Sequence, residues 1–186
     1  AALRRAIDED ELVMHYQPIV GSAEGRTVAY ESLVRWARPG HDGLVPPDVF
    51  IGHAERSGLI VDLDRWVVRT VIAQLARWRD EGGDAVPVAV NISGRHLGEP
   101  AFVSDVLGPL LAHDVDPQLL IVEVTESALL EDIVGAATRL QALRDVGVRI
   151  AIDDFGTGYS NLAYLGQLPI HTLKLAGPFM AGISDP

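Results

Sequence analysis

The chain has 186 residues, 48% of them hydrophobic, and carries 15 Lys plus Arg against 26 Asp plus Glu for a formal net charge of −11. That composition describes one acidic globular domain and excludes a disordered tail, while the charge excludes a non-specific nucleic-acid or membrane surface built on clustered Lys and Arg. With no cysteine, a disulfide framework, a thiolate zinc site and a cysteine nucleophile are excluded as well.

No uninterrupted apolar run reaches the ~18 residues of a membrane-spanning helix, and Ala1 to Glu11 lacks the apolar stretch of a signal peptide. The expectation is a cytoplasmic segment that does not itself insert into a membrane, although its parent protein can be anchored to one. The chain opens on a helical pattern, Leu3-Arg4-Arg5-Ala6-Ile7, with no leading Met, so it is expected to be cut from something longer.

Along the chain, apolar runs of strand length alternate with longer amphipathic stretches. Strands are expected at Leu12–Val20, Thr27–Val34, Val86–Asn91, Leu119–Val124, Val148–Asp153 and Ile170–Leu175. Helices are expected at Pro47–Gly58, Leu59–Gly82, Ala101–His113, Ala128–Val146 and Tyr159–Gln167, with Gly82-Gly83, Asp116-Pro117 and Gly147 as punctuation. Val86–Val90, Leu119–Val122 and Val148–Ile152 are nearly all apolar, the signature of parallel strands covered on both faces. Alternating βα units of this kind build either an open doubly wound sheet or a closed barrel. The first two strands, joined across Gly21 to Arg26, read as an antiparallel pair and depart from both.

The strand ends are more informative than the strands. Glu31, Asn91, Glu123, Asp153 and Lys174 terminate or occupy matching places in successive strands, at intervals of 60, 32, 30 and 21 residues, close to one or two βα units each. In a βα barrel the carboxyl ends of the strands share one face, and that face holds the active site. Carboxylates and an amide gathered there repel unless cations bind between them, and an all-oxygen set suits Mg²⁺, Mn²⁺ or Ca²⁺ better than zinc. A lysine among them can offset negative charge or hold a water.

Asp153-Asp154-Phe155-Gly156-Thr157-Gly158-Tyr159-Ser160 is the sharpest local signal: two adjacent acids leave a buried strand, and two glycines then let the backbone fold close. Asp154-Phe155-Gly156 also spells the kinase metal loop, but no glycine-rich phosphate loop or His-Arg-Asp catalytic loop accompanies it, so a kinase is excluded. Trp36 is expected in core packing. His15, His41, His53, His96, His113 and His171 lack metal-ligand spacing and receive no role.

From about Leu3 to Met180 the chain resembles the EAL-domain family of cyclic di-GMP phosphodiesterases and their non-catalytic relatives. The resemblance rests on Tyr16-Gln17-Pro18-Ile19-Val20, Tyr30-Glu31-Ser32-Leu33-Val34-Arg35-Trp36, Val90-Asn91-Ile92-Ser93, Glu123-Val124-Thr125-Glu126-Ser127, the Asp153–Ser160 loop and Leu173-Lys174. It implies a modified TIM barrel with one antiparallel strand, hydrolysing one phosphodiester bond of cyclic di-GMP to linear pGpG with two Mg²⁺ or Mn²⁺ ions. By position, Glu31, Asn91, Glu123 and Asp153 resemble the metal ligands, and Asp154 the residue that reaches the second ion. Lys174 resembles the residue that holds the attacking water, and Glu126 the glutamate that steadies the Asp-Asp loop. Gln17, Leu33 and Arg35 resemble substrate contacts, Arg35 facing phosphate. The implied partner is cyclic di-GMP rather than a nucleic-acid polymer, with a homodimer and further sensory or cyclase domains in the parent protein as additional partners the family allows.

Two departures limit the resemblance. The family pattern continues with a Glu-Gly-Val-Glu strand and a later glutamine, neither present here, so the single domain at 1–186 is expected to be incomplete at its C-terminus, a barrel truncated after six strands. Such a segment is expected to be inactive and unstable alone, because an open barrel exposes an edge. Second, Lys174-Leu175-Ala176-Gly177 stands where the family reads Lys-Ile-Asp-Arg, so Ala176 replaces an acid. That change points to an alternative, a degenerate domain serving as a cyclic di-GMP receptor or a protein-interaction module. Ser32 in place of alanine is a mild change.

Overall fold

The computed structural model describes residues 2–23, 25–83, 86–156 and 168–176. Among the described residues six strands, β1 (Leu12–Val20), β2 (Thr27–Trp36), β3 (Val88–Ile92), β4 (Leu120–Thr125), β5 (Arg149–Phe155) and β6 (Thr172–Leu175), form one sheet in the order β1-β2-β3-β4-β5-β6. β1 and β2 are antiparallel and every later pair is parallel. A doubly wound sheet reverses its strand order at a switch point. This order runs consecutively and has no reversal, so of the two architectures left open by the sequence the barrel type is the one observed.

Helices α1 (Ala2–Asp8), α2 (Pro47–Ser57), α3 (Ile60–Asp80), α4 (Gly94–Gly98), α5 (Phe102–Ala112), α6 (Glu126–Glu131) and α7 (Ile133–Asp145) connect or precede the strands. None of the described helices is long and apolar enough to cross a membrane. The expected bounds hold to within about two residues for most elements. One correction concerns Ala128–Val146, expected as a single helix: Asp132 breaks it and its carboxylate caps α7 by accepting the Gly135 N–H at 3.0 Å. The expected helix at Tyr159–Gln167 lies outside the described residues.

Local chemistry accounts for these elements. α2 begins at Pro47, whose fixed φ and missing N–H suit the first helical position, and ends at Gly58 in the left-handed conformation, φ 78°. In α3 the buried positions Ile60, Leu63, Val67, Val68, Val71, Ile72 and Leu75 recur at helical spacing and face the sheet. The outward faces of β3, β4 and β5 (Val88, Val90, Ile92, Val122, Val124, Ile150, Ile152) pack against α3, α5 and α7 around the fully buried Phe102. A second cluster joins α1, α2 and the start of α3 to Trp36, which stacks edge-on against Phe50 and donates its indole N–H to Glu11, the packing role expected of it.

The register fixes the other face. Paired residues of neighbouring strands point the same way, and the pairs Glu31 with Ala89, Asn91 with Glu123 and Glu123 with Ala151 put all five residues on the inner side. Alternation then adds Asp153, two residues beyond Ala151. Small side chains at Ala29, Ala89 and Ala151, all buried, leave the interior room for carboxylates near its carboxyl end.

Candidate metal centre

Glu31, Glu123 and Asp153, from β2, β4 and β5, each offer one carboxylate oxygen within 4.8 Å of the others. Asn91, from the intervening β3, donates its amide Nδ2 to Glu31 Oε1 at 3.2 Å, which leaves its Oδ1 for a cation. Lys174, from β6, reaches into the same cluster, its Nζ 2.7 Å from Glu123 Oε2, 3.2 Å from Asp153 Oδ2 and 3.8 Å from Glu31 Oε2. Five positions spread over 144 residues of sequence thus meet in one place, as their spacing implied.

The electrostatics follow from burial. Burial pushes the Glu123 carboxyl above the usual carboxylate range; Lys174 opposes this, while Glu31 and Asp153 push it further up. Burial alone would lower the Lys174 ammonium, but its hydrogen bond to Glu123 and the charges of Glu123, Glu31 and Asp153 outweigh that and raise it. Three carboxylates face one ammonium, and the hard oxygen donors fit a divalent cation of the Mg²⁺ or Mn²⁺ type.

The remaining expected residues surround this centre. Asp154 is exposed and left-handed at φ 52°, and the β5–β6 register shifts between Ile152 and Phe155. That bulge breaks the alternation that would otherwise send the two adjacent aspartates to opposite faces. The Asp154 N–H is held by Asp153 Oδ1 at 2.9 Å, and the buried Glu126 accepts the Gly156 N–H at 3.0 Å, so the loop is pinned from both sides. Gln17 lies opposite Glu31 in the β1–β2 register and is exposed; Leu33 and Arg35 follow Glu31 on the same face. Arg35 turns its guanidinium back onto the Val34 carbonyl at 2.9 Å instead of toward the carboxylates. Ala176 is 5% exposed, with its N–H on the Phe155 carbonyl at 3.3 Å, and brings no acid to the cluster.

The EAL-domain family profile matches residues 1–186. The chain belongs to the EAL-domain family. The bifunctional diguanylate cyclase/cyclic di-GMP phosphodiesterase MucR of Pseudomonas aeruginosa is 41% identical over 178 residues, 96% of this chain and 26% of that protein. The cyclic di-GMP phosphodiesterase PdeR of Escherichia coli is 42% identical over 181 residues, 97% of this chain and 27% of that protein. The chain therefore spans about a quarter of the length of these curated relatives. The solved PaMucR phosphodiesterase in complex with c-di-GMP superposes with a TM-score of 0.90 at 40% identity, covering 99% of this chain and 74% of that one.

Beside the carboxylates this EAL domain has a cavity of about 290 Å³, lined in part by Leu33, Asp64, Asn91, Ser93, Glu123 and Thr125. Sequence reasoning missed what shapes its wall. Asp64, on α3, accepts both the N–H (2.9 Å) and the hydroxyl (2.6 Å) of Ser93, two residues past Asn91. Behind it His96, with no exposure, donates from Nε2 to Asp105 Oδ2 at 3.2 Å and sets Nδ1 3.6 Å from Asp64 Oδ2. Asp105 also accepts Arg65 Nε at 2.7 Å. The available signal was Asp64 itself, a charge on the buried stripe of an amphipathic helix.

Proposed function

We propose that this EAL domain is a divalent-metal-dependent cyclic di-GMP phosphodiesterase that opens one phosphodiester bond to give linear pGpG. The observation that carries the reading is the triad of Glu31, Glu123 and Asp153 from three strands, with Asn91 beside it, on the carboxyl face of the sheet. In this reading Glu31, Asn91, Glu123 and Asp153 hold one ion and Asp154 reaches toward a second. Bound Mg²⁺ or Mn²⁺ would supply positive charge to the phosphate and acidify a water. Lys174 holds that water, Glu126 keeps the Asp153–Gly156 turn in place, and Gln17, Leu33 and Arg35 contact substrate. Arg35 must leave the Val34 carbonyl to fork onto phosphate oxygens. The names of MucR and PdeR support the substrate, and MucR's double activity supports a parent protein with further signalling domains.

Ala176 favours a second reading, a receptor that binds cyclic di-GMP without cleaving it. Incubating the full-length protein with cyclic di-GMP and Mg²⁺ or Mn²⁺, and separating the products, distinguishes the two. Formation of pGpG that disappears in Glu31→Ala is expected. Binding without turnover in the wild type assigns the receptor, and pGpG formed unchanged by Glu31→Ala rejects this triad as the catalytic centre.

A further inference from the structure

Lys174 contacts the carboxylates that a cation would use. Its Nζ approaches the same three residues that can each offer a ligand oxygen, at 2.7 Å (Glu123), 3.2 Å (Asp153) and 3.8 Å (Glu31). A divalent ion of the Mg²⁺ class sits about 2.0–2.1 Å from its oxygens. An ion that close to Glu123 Oε2 would lie within a few ångströms of the ammonium, where a double and a single positive charge repel strongly even in a half-hydrated pocket.

We propose that Lys174 is the built-in occupant of the cation site. In the metal-free protein its ammonium neutralises the carboxylate triad, and loading the first divalent cation requires it to withdraw from at least one of them. Metal and Lys174 thus compete for Glu123 and Asp153. The proposal rests on the metal-centre reading above and adds a regulation of loading to it. The geometry permits the movement: Glu123 is fixed, its side chain 3% exposed, whereas the Lys174 side chain is 27% exposed and has a path to water. Lys174 also comes from β6, a strand of four residues at one end of the strand order among the described residues. In the loaded state the withdrawn ammonium remains next to the site, where it can hold a water, so displacement and the role proposed for it in the reaction are successive uses of one side chain.

The test is Mn²⁺ binding to the full-length protein, measured by calorimetry and by electron paramagnetic resonance, for wild type, Lys174→Met, Lys174→Arg and, as a control without a complete site, Glu123→Gln. Metal-free melting curves are recorded alongside. Lys174→Met is expected to bind Mn²⁺ about tenfold or more tightly than wild type, because one positive charge no longer opposes the ion, and to melt at a lower temperature without metal. Lys174→Arg keeps the charge and should stay near wild-type affinity. Should Lys174→Met fail to fold, Lys174→Gln gives the same comparison with a polar, uncharged side chain. Equal or weaker Mn²⁺ binding by the folded, uncharged variant overturns the competition while leaving the metal centre standing. Failure of wild type and both uncharged variants to bind at millimolar Mn²⁺ overturns the metal-centre reading and this proposal with it.

Discussion

His96 shows what a single buried side chain contributes here. A carboxylate only accepts, so the ring nitrogen facing Asp105 carries the proton, and the other nitrogen has no hydrogen-bond partner among the described residues although Asp64 lies 3.6 Å away. His96→Leu removes the donor to Asp105 and leaves that carboxylate with Arg65 alone. The expected loss is about 1–3 kcal/mol of unfolding free energy in a urea titration, with His96→Gln falling between, because one amide donor can still reach an aspartate. A leucine variant as stable as wild type would show that the ring's hydrogen bond contributes nothing net. None of this was legible in the sequence, where His96 carried no role: its partners lie on α3 and α5, and no spacing rule joins them. Glu31, Glu123 and Asp153 were legible for the opposite reason, since a repeating βα unit returns each strand end to the same face.

Between elements, the join of β5 to β6 depends on a histidine. His171 donates its backbone N–H to the Ile150 carbonyl at 2.8 Å, and its ring Nδ1 accepts the Ile150 N–H at 3.1 Å, standing in for a strand carbonyl at the start of the ladder. Burial lowers the His171 pKa, and Arg144 and Arg149 lower it further. Below about 6.5, the ordinary histidine value, the unfolded chain binds the proton more readily than the folded one, so stability rises with pH across this window and is lost as pH falls through the folded value. A protonated ring also cannot accept from Ile150. The expected outcome is that hydrogen-exchange protection of the Ile150 amide, corrected for the intrinsic rate, falls on acidification below that value in wild type but stays level in His171→Asn, whose side-chain oxygen still accepts. Loss of protection in both proteins would sink the idea. At this scale the sequence specified strand and helix locations well, because apolar runs and amphipathic periods are local. It missed the five-residue α4 and the break at Asp132, where one capping carboxylate outweighs a continuous helical pattern.

For the whole molecule, the ambiguity the sequence left between an open sheet and a barrel could not be resolved by periodicity, since both use the same βα units; only the consecutive strand order decides it. That order also ties stability to ligand. Glu31, Glu123 and Asp153 come from three strands, so a cation held by all three clamps the sheet in a way the unfolded chain, whose acids are dispersed, cannot reproduce. Such an ion would also offset the burial, and the neighbouring Glu31 and Asp153 charges, that together raise the Glu123 carboxyl, and part of a net charge of −11. At a free metal concentration 100 times the dissociation constant, selective binding to the folded state stabilises it by about 2.7 kcal/mol. For a chain of this size that corresponds to a rise in Tm of roughly 5–10 °C. Differential scanning calorimetry of the full-length protein in Mn²⁺ should show that rise in the transition of this domain, reversed by a chelator and absent in Glu31→Gln at the same concentrations. Because Lys174 partly neutralises the triad when no metal is bound, the rise should be larger in Lys174→Met, which starts from a less stable metal-free state. A melting temperature that does not move with Mn²⁺ in wild type, or moves equally in Glu31→Gln, would place the bound ion elsewhere than on these three strands.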